Sequence, residues 1–373
     1  MTINTLPTAG ALAAPRAILQ VGSKVIEWSS WDGEHNGINE AGTIRIEVPG
    51  NFADWPWWTQ QTEILVDVYV GFPKDPQNYS ATDLTLLQTF RIDSIRLNAA
   101  TLGITLSGRD LTSLLTDQKI DIKFQNQTAS QIATFIAQKV GLTPNVQATT
   151  GLVGHFFTQD HVSLHRQQPM WSVLTYLAQH EGVQCFVLGR TLYFGAFGSA
   201  LSSEPYLIQY DPPTTARPYP TSNATSLEFE HDLTLANDVS VKVQSYHGMK
   251  NAVYTSVATS SKTAKRIERD ANLAQSIQEY SFTFADLTQA QCDAKAQQLL
   301  DQISKHELKM SARLPGDTII YPWTPVVVQG TGTPFDTTYE AARIRRRFQV
   351  DPPRFEVSVH GKTVTDAQTV TLS

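Results

Sequence analysis

The sequence predicts a β-rich α+β protein, with two units of antiparallel strands and mixed α/β segments inserted between them. Three observations carry this expectation. Between residues 16 and 106, short runs of alternating polar and apolar residues recur, separated by Gly, Pro, Asn and Asp. From 128 to 194 the apolar period becomes helical and then reverts. Beyond a Pro-rich stretch and one long helical pattern, alternating runs return and continue to residue 360.

In the first block, residues 24–28, 43–48, 63–70, 86–97 and 102–106 read as strands. Thr43, Arg45 and Glu47 alternate with Ile44, Ile46 and Val48, which puts polar and apolar sets on opposite faces of one ribbon. Five such runs joined by turn-forming residues favour a small barrel or sandwich. The spacing of Ile132, Phe135, Ile136 and Val140 predicts a helix over 128–140, with Asn126 or Thr128 as N-cap and Gly141 just past its end. A second helix is predicted over 170–180, with Trp171, Leu174 and Leu177 facing a core and Gly182 stopping it. It leads into a hairpin: 183–188, a turn at Gly189-Arg190, then 191–194. The Pro-rich residues 205–220 read as a linker or boundary. Residues 226–230 and 238–245 read as strands, the latter with Val239, Val241 and Val243 on one face. Residues 287–308 form the longest helical pattern, with Asp286 as N-cap and Ala290, Ala294, Gln297, Leu300 and Ile303 as its stripe. Strands at 307–312, 325–329, 341–349 and 354–360 close the series. No tandem repeat is visible.

A chain of 373 residues with 41% hydrophobic content is long enough for two to four compact units. Only 17% of residues are charged, while Thr, Gln, Ser and Asn are abundant, which suits surfaces that dock against protein. A net charge of −6 argues against a broad basic face for nucleic acid. Cys185 and Cys292 are isolated, so neither a disulfide framework nor a thiolate zinc site is suggested. The opening residues lack a basic region ahead of an apolar core and make a poor signal peptide, and no apolar run is long enough to predict a membrane-spanning segment.

The chemical motifs are equally sparse. There is no Walker loop, no dinucleotide-binding glycine pattern and no Gly-x-Ser-x-Gly elbow, so no catalytic residue and no cofactor is assigned and the chain does not read as an enzyme. His155, Asp160, His161 and His165 form the most conspicuous titratable cluster, in which His161 and His165 would share one face of a helix. The segment lacks a His-Glu-x-x-His signature and fits a strand or loop equally well, so no metal is assigned. His180-Glu181 is the first half of such a motif without its second histidine.

Three local patterns then resemble the baseplate hub proteins of phage tails, including the late-control D proteins, and the related hub portion of type VI secretion spike proteins. One is Leu106-Ser107-Gly108-Arg109-Asp110-Leu111, closing the first block. Another is residues 172–194, a helix passing through Glu181-Gly182-Val183 into a hairpin that ends Leu192-Tyr193-Phe194-Gly195. The last is a helix, a strand from Leu308, Pro315-Gly316-Asp317 and two final strands ending near Gly361. The resemblance runs in order through most of the chain.

It implies a homotrimer in which two tube-like barrel domains per copy close a pseudo-hexameric ring. The mapping places one tube domain at 1–110, an inserted mixed α/β domain at 111–221, a discontinuous second tube domain at 222–245 and 305–362, an inserted segment with the long helix at 246–304, and a tail at 363–373. Implied partners are the tail tube protein, a separate central spike protein, other baseplate proteins, and genomic DNA passing through the ring without sequence-specific binding. The implied location is the virion tail baseplate, assembled in the host cytoplasm. The rival readings are a tail-associated cell-wall hydrolase, whose paired carboxylates need no proximity in sequence, and a glycan-binding tail adhesin.

Two groups of side chains stand out as interface candidates. Arg343, Arg345 and Arg347 alternate along one strand face, with Ile344, Arg346 and Phe348 on the other. That stripe fits a solvated face, a contact with acidic groups of a neighbouring subunit or the spike, or a channel lining. Trp55, Trp57 and Trp58, with Phe52 and broken by Pro56, fit core packing of their loop or a desolvated contact with a subunit or the tube.

Overall fold

The computed structural model describes residues 14–37, 40–122, 124, 127–151, 168–196, 205–236, 239–260, 277–285 and 287–364. The first block holds β1 (Arg16–Val21), β2 (Lys24–Ile26), β3 (Ser30–Asn36), β4 (Thr43–Val48), a short helix α1 (Trp55–Thr59), β5 (Leu65–Gly71), β6 (Thr85–Leu97) and β7 (Ile104–Asp110). Their order in the sheet is β3-β4-β7-β6-β5-β1-β2, antiparallel throughout. The alternation in 43–48 works as predicted: Ile44, Ile46 and Val48 enter a core with Trp31, Val66, Val68, Phe90, Leu106 and Trp58.

The insert follows, with α2 (Thr112–Asp117), β8 (Lys119–Ile120), α3 (Ala129–Lys139), β9 (Thr143–Val146), β10 (Gln168–Pro169), α4 (Met170–Glu181), β11 (Gln184–Leu188) and β12 (Thr191–Gly195). Thr128 caps α3 through a reciprocal pair with Gln131, and Gly141 takes the left-handed conformation (φ +79°) behind it. Ile132 and Ile136 are buried, whereas Phe135 is 40% exposed and leaves the predicted stripe. Met170, Trp171, Leu174 and Leu177 of α4 complete this core, and Gly182 (φ +71°) ends the helix. The predicted hairpin is β11–β12, and β9 adds to it in parallel.

The stretch read as a linker carries a strand instead. It contains β13 (Tyr206–Asp211) and β14 (Thr221–Ser222), which with β15 (Ser226–His231), β19 (Leu308–Pro315), β20 (Pro325–Gln329), β21 (Thr338–Gln349) and β22 (Arg354–Thr363) make the second β unit. Alternation of Tyr206 and Ile208 into the core outweighs the prolines that follow them, and β13 pairs in parallel with β20.

Between β15 and β19 lie β16 (Val239–His247), β17 (Ala252–Thr259), β18 (Gln278–Ala285) and the long helix α5 (Gln289–Ser304). Thr288 caps α5; Asp286 lies outside the described residues. The buried stripe is Cys292, Ala296 and Leu300, packed on Val239, Val241 and Val243, while Ala290, Ala294 and Gln297 are exposed. Leu300 and Ile303 of the predicted stripe do face this core, but in the first turns the small alanines fit either face and Cys292 takes the buried position.

The architecture is therefore β-rich α+β, with few helices. Two expectations need correction. Not all pairings are antiparallel, since β9–β12, β13–β20 and β16–β18 are parallel. Nor does any pairing among the described residues close a barrel. The edge of β3 that closure of the first unit would need is taken by β21, where Arg343 to Gln349 pair with Asn36 to Ser30. On the same edge, β21 pairs with β20 over Thr338 to Glu340, and along its other edge with β22. One continuous sheet thus runs through both units.

Candidate functional site: a polar sheet face shared by two β units

Across β15-β19-β22-β21-β3-β4-β7-β6 the registers align one face of eight strands. One row reads Ser226, Arg313, Ser358, Arg345, Glu34, Thr43, Arg109, Arg91. Its neighbour reads Pro315, Glu356, Arg347, Asp32, Arg45, Ser107, Ser94. Side chains on the opposite face enter the two cores, so period-2 alternation gives a polar surface that crosses from unit to unit without interruption.

Arg343, Arg345 and Arg347 all lie on this face, each with about half its side chain exposed. Their acidic partners come from β3 and the turn after it, in the same chain. Arg345 donates from Nε to Asp32 Oδ1 (2.7 Å) and from Nη2 to Asp32 Oδ2 (2.5 Å), a two-pronged pair. Arg347 Nη2 reaches Asp32 Oδ2 at 3.0 Å, and Arg343 lies 3.4 Å from Glu34 and 3.7 Å from Glu40. Partial burial pushes the Asp32 carboxyl upward, but hydrogen bonds from Arg345 and Arg347 outweigh it and hold the pKa below the ordinary value.

A second cluster closes the first unit and accounts for the Gly-Arg-Asp segment residue by residue. Gly108 lies at a register shift in β6, where a Cβ would sit 2.2 Å from the Arg91 carbonyl oxygen, so no side chain fits. Arg109 pairs with Asp93 (2.6 Å) and Asp117 (3.1 Å). Asp110 is buried and accepts from the backbone N–H groups of Gly42 (2.8 Å) and Thr112 (2.9 Å), tying the strand end to α2. Burial pushes its carboxyl up to about 6. Leu111 then enters the core of the insert.

The junction of the units is buried and polar. Arg346 shares the inward face with Ile344 and Phe348, as alternation predicts, and is fully inaccessible. Its Nε donates to the Asp317 carbonyl (3.0 Å) and its Nη2 to the Ile320 carbonyl; its Nη1 has no partner among the described residues. Burial lowers its pKa, although Tyr321 and Asp317 oppose this. His35 on β3 is also buried, edge-on to Phe90 (5.9 Å), and burial followed by the Arg346 charge lowers its pKa to about 3. The insert docks beside them: Phe186 packs on Trp323 (4.0 Å) and Tyr193 (4.9 Å), and buried Gln88 accepts from the Gly189 backbone. Asp32, Glu34, His35 and the buried setting of Arg346 were not foreseen. The apolar neighbours two residues either side of Arg346 were the available signal.

The tryptophans divide by depth. Trp58 is core (3% exposed), packed against Trp57 at 4.6 Å. Trp57 also carries the Lys24 ammonium 3.9 Å above its ring, and Trp55 Nε1 donates to the Leu102 carbonyl (3.3 Å). Phe52 projects beyond them, 65% exposed. His155, Asp160, His161 and His165 lie outside the described residues. His180 and Glu181 lie 3.7 Å apart at the end of α4, and no three metal-ligating side chains gather among the described residues. Cys185 and Cys292 are buried free thiols.

No protein-family model matches the chain, and no curated protein sequence is similar to it. The fold, however, is that of phage tail proteins, and the resemblance expected from the sequence extends along nearly the whole chain. The tail protein from Neisseria meningitidis MC58 superposes with a TM-score of 0.66 at 16% identity, covering 95% of this chain and 97% of its own. The 43 kDa tail protein of prophage MuSo2 from Shewanella oneidensis gives 0.66 at 15% identity, covering 94% and 98%. A type VI secretion system component of E. coli, itself structurally similar to the T4 phage tail proteins gp27 and gp5, gives 0.50 at 9% identity, covering 95% and 79%.

Proposed function

We propose that the chain is a structural hub of a phage tail, three copies of which form a ring that joins the tail tube to a central spike and surrounds the DNA passage. The observation that carries this reading is the β21–β3 pairing, which fuses two β units into one sheet, eight of whose strands share a predominantly polar face. That sheet ends in unused edges: β15 pairs only with β19, and beyond Ile92 the edge of β6 facing β5 has no strand partner among the described residues. Such edges are a hazard in a monomer and an attachment site in a head-to-tail ring. Charge favours the join, with Glu228 exposed at one end of the face and Arg96 at the other.

Geometry favours it too. At ~4.8 Å per strand, eight strands give ~38 Å of arc per copy and three copies ~115 Å of circumference, a diameter of ~37 Å before inward side chains are subtracted. A duplex fits such an opening. The closed barrels expected from the sequence would then be completed between copies rather than within one. Arg343, Arg345 and Arg347 line the passage, and the Phe52, Trp55 and Trp57 end of the first unit meets a coaxial partner. Asp32, Glu34 and Glu356 serve on this face as counter-charges to arginines. Light scattering and electron microscopy of the purified chain test this: a mass three times 41.3 kDa with a central opening is expected. A monomer that degrades cell wall or binds glycans would overturn it in favour of the hydrolase or the adhesin.

A further inference from the structure

Four arginines converge on one concavity of the polar face, and only part of their charge is neutralised. Arg313 (β19), Arg345 and Arg347 (β21) and Arg354 (β22), with Glu356 and Ser358, line a hollow of ≈ 170 Å³. Arg313 and Arg345 both register on Ser358, one from each side, so their backbones lie roughly 10 Å apart across β22. Ser358 is the short residue between two long ones and lines the hollow between them. Arg347 registers on Glu356 in the next row, and Arg354 stands two residues from Glu356 on the same strand face.

The ion pairs do not exhaust these cations. Asp32 is shared by Arg345 and Arg347, and Arg354 holds Glu356 at 2.5 Å. Arg313 has no ion-pair partner among the described residues. Four guanidinium groups thus face two carboxylates, an excess of two positive charges in a chain whose net charge is −6. Glu34, opposite Arg345 on β3, is engaged by Arg343. We propose that this hollow is a binding site for a phosphate group, free or in a nucleic-acid backbone, seated over Ser358 between Arg313 and Arg345. Guanidinium forks arranged around a hydroxyl match the donor demand of a tetrahedral oxyanion, and the hollow has room for one. The site is complete in a single chain and does not depend on ring closure.

The test is titration of the intact protein with inorganic phosphate by calorimetry, and with a labelled DNA duplex by fluorescence anisotropy, at low salt. Arg313→Ala removes a side chain with no hydrogen-bond or ion-pair partner among the described residues. It should weaken binding about tenfold, the effect of losing one charge-assisted hydrogen bond, while Arg45→Ala on the same face outside the hollow leaves binding within about twofold. Glu356→Gln removes a competing carboxylate and should tighten binding, a gain that misfolding does not imitate. Saturation by phosphate that the duplex does not displace assigns the site to free phosphate; binding of the duplex competed by phosphate assigns it to the nucleic-acid backbone. Absence of binding by both probes, or equal losses in Arg313→Ala and Arg45→Ala, overturns the proposal. Trimer mass is measured separately, so a failed site and a failed ring are distinguishable.

Discussion

Acidification should act on the buried junction in two opposing ways, and single substitutions should separate them. His35 is held neutral in the fold, its pKa lowered from 6.5 to about 3 by burial and then by Arg346. The unfolded chain takes up a proton near 6.5 while the folded one does not. Below that pH the unfolded state binds more protons, and stability falls until the folded pKa is reached. At ~1.36 kcal/mol per unit, this removes ~2 kcal/mol between pH ~6.5 and ~5.

Asp110 works in the opposite sense. Burial raises its carboxyl from 3.8 to about 6, so between those values the folded state binds the extra proton and acidification stabilises, by at most ~3 kcal/mol. Between about pH 6 and 4 the two slopes oppose, and the wild type shows little of either. Urea unfolding at pH ~7 and ~5 should find His35→Gln less acid-sensitive than the wild type by ~2 kcal/mol. Asp110→Asn should be more acid-sensitive and weaker at both pH values, because one of the Gly42 and Thr112 N–H groups loses its acceptor. Parallel pH profiles for His35→Gln and wild type would refute the buried-imidazole argument.

Removing the carboxylate that bridges the two β units, Asp32→Ala, should cost about 1 kcal/mol, because Arg345 and Arg347 are half exposed and solvent screens them. Since the folded pKa of Asp32 is lowered, its contribution is present above ~3.8 and lost as pH falls below that value; melting at low and high salt should show the Asp32→Ala difference shrinking with salt, and a salt-independent difference counts against an ionic origin. Trp58→Ala empties a core position and should cost about 3–5 kcal/mol, whereas Phe52→Ala, two-thirds exposed, should stay within about 0.5 kcal/mol. Thermal denaturation ranks the two directly, and the reverse order would sink the packing account of this end of the molecule.

The fold was legible where one residue period dominated. Residues 43–48, 170–180 and 183–194 carried their own pattern, cap and turn, and the structure follows them within a residue or two. Segments whose state is set by distant partners were not legible. Strand β13 sits among residues that read as a breaker-rich linker, and it is a strand because the parallel edge of β20 satisfies its backbone. Strands β17 and β18 flank residues outside the described part of the chain, and β17 turns Val253 and Val257 outward while Tyr254 and Ala258 face the core that α5 covers, so apolar residues on both faces blur its period.

The most consequential omission was β3. Its sequence, Ser-Trp-Asp-Gly-Glu-His-Asn, has the composition of a turn, and only burial of Trp31, Gly33 and His35 on one side reveals the alternation. Sequence reading therefore saw three arginines on β21 without counter-charges, and left them to a solvated face, to acidic groups of a neighbouring subunit or the spike, or to a channel lining. Their partners stand on β3 of the same chain, 313 residues away for Arg345 and Asp32. The two half-patterns are individually weak, an Arg stripe on one strand and alternating acids in an apparent loop, yet each has the period of two that lets it meet the other across a ladder. Pairing them places the stripe at the seam between two units of one molecule, with about half of each side chain still exposed. Arg313, on β19 and remote from β3, gains nothing from that seam and has no carboxylate partner among the described residues.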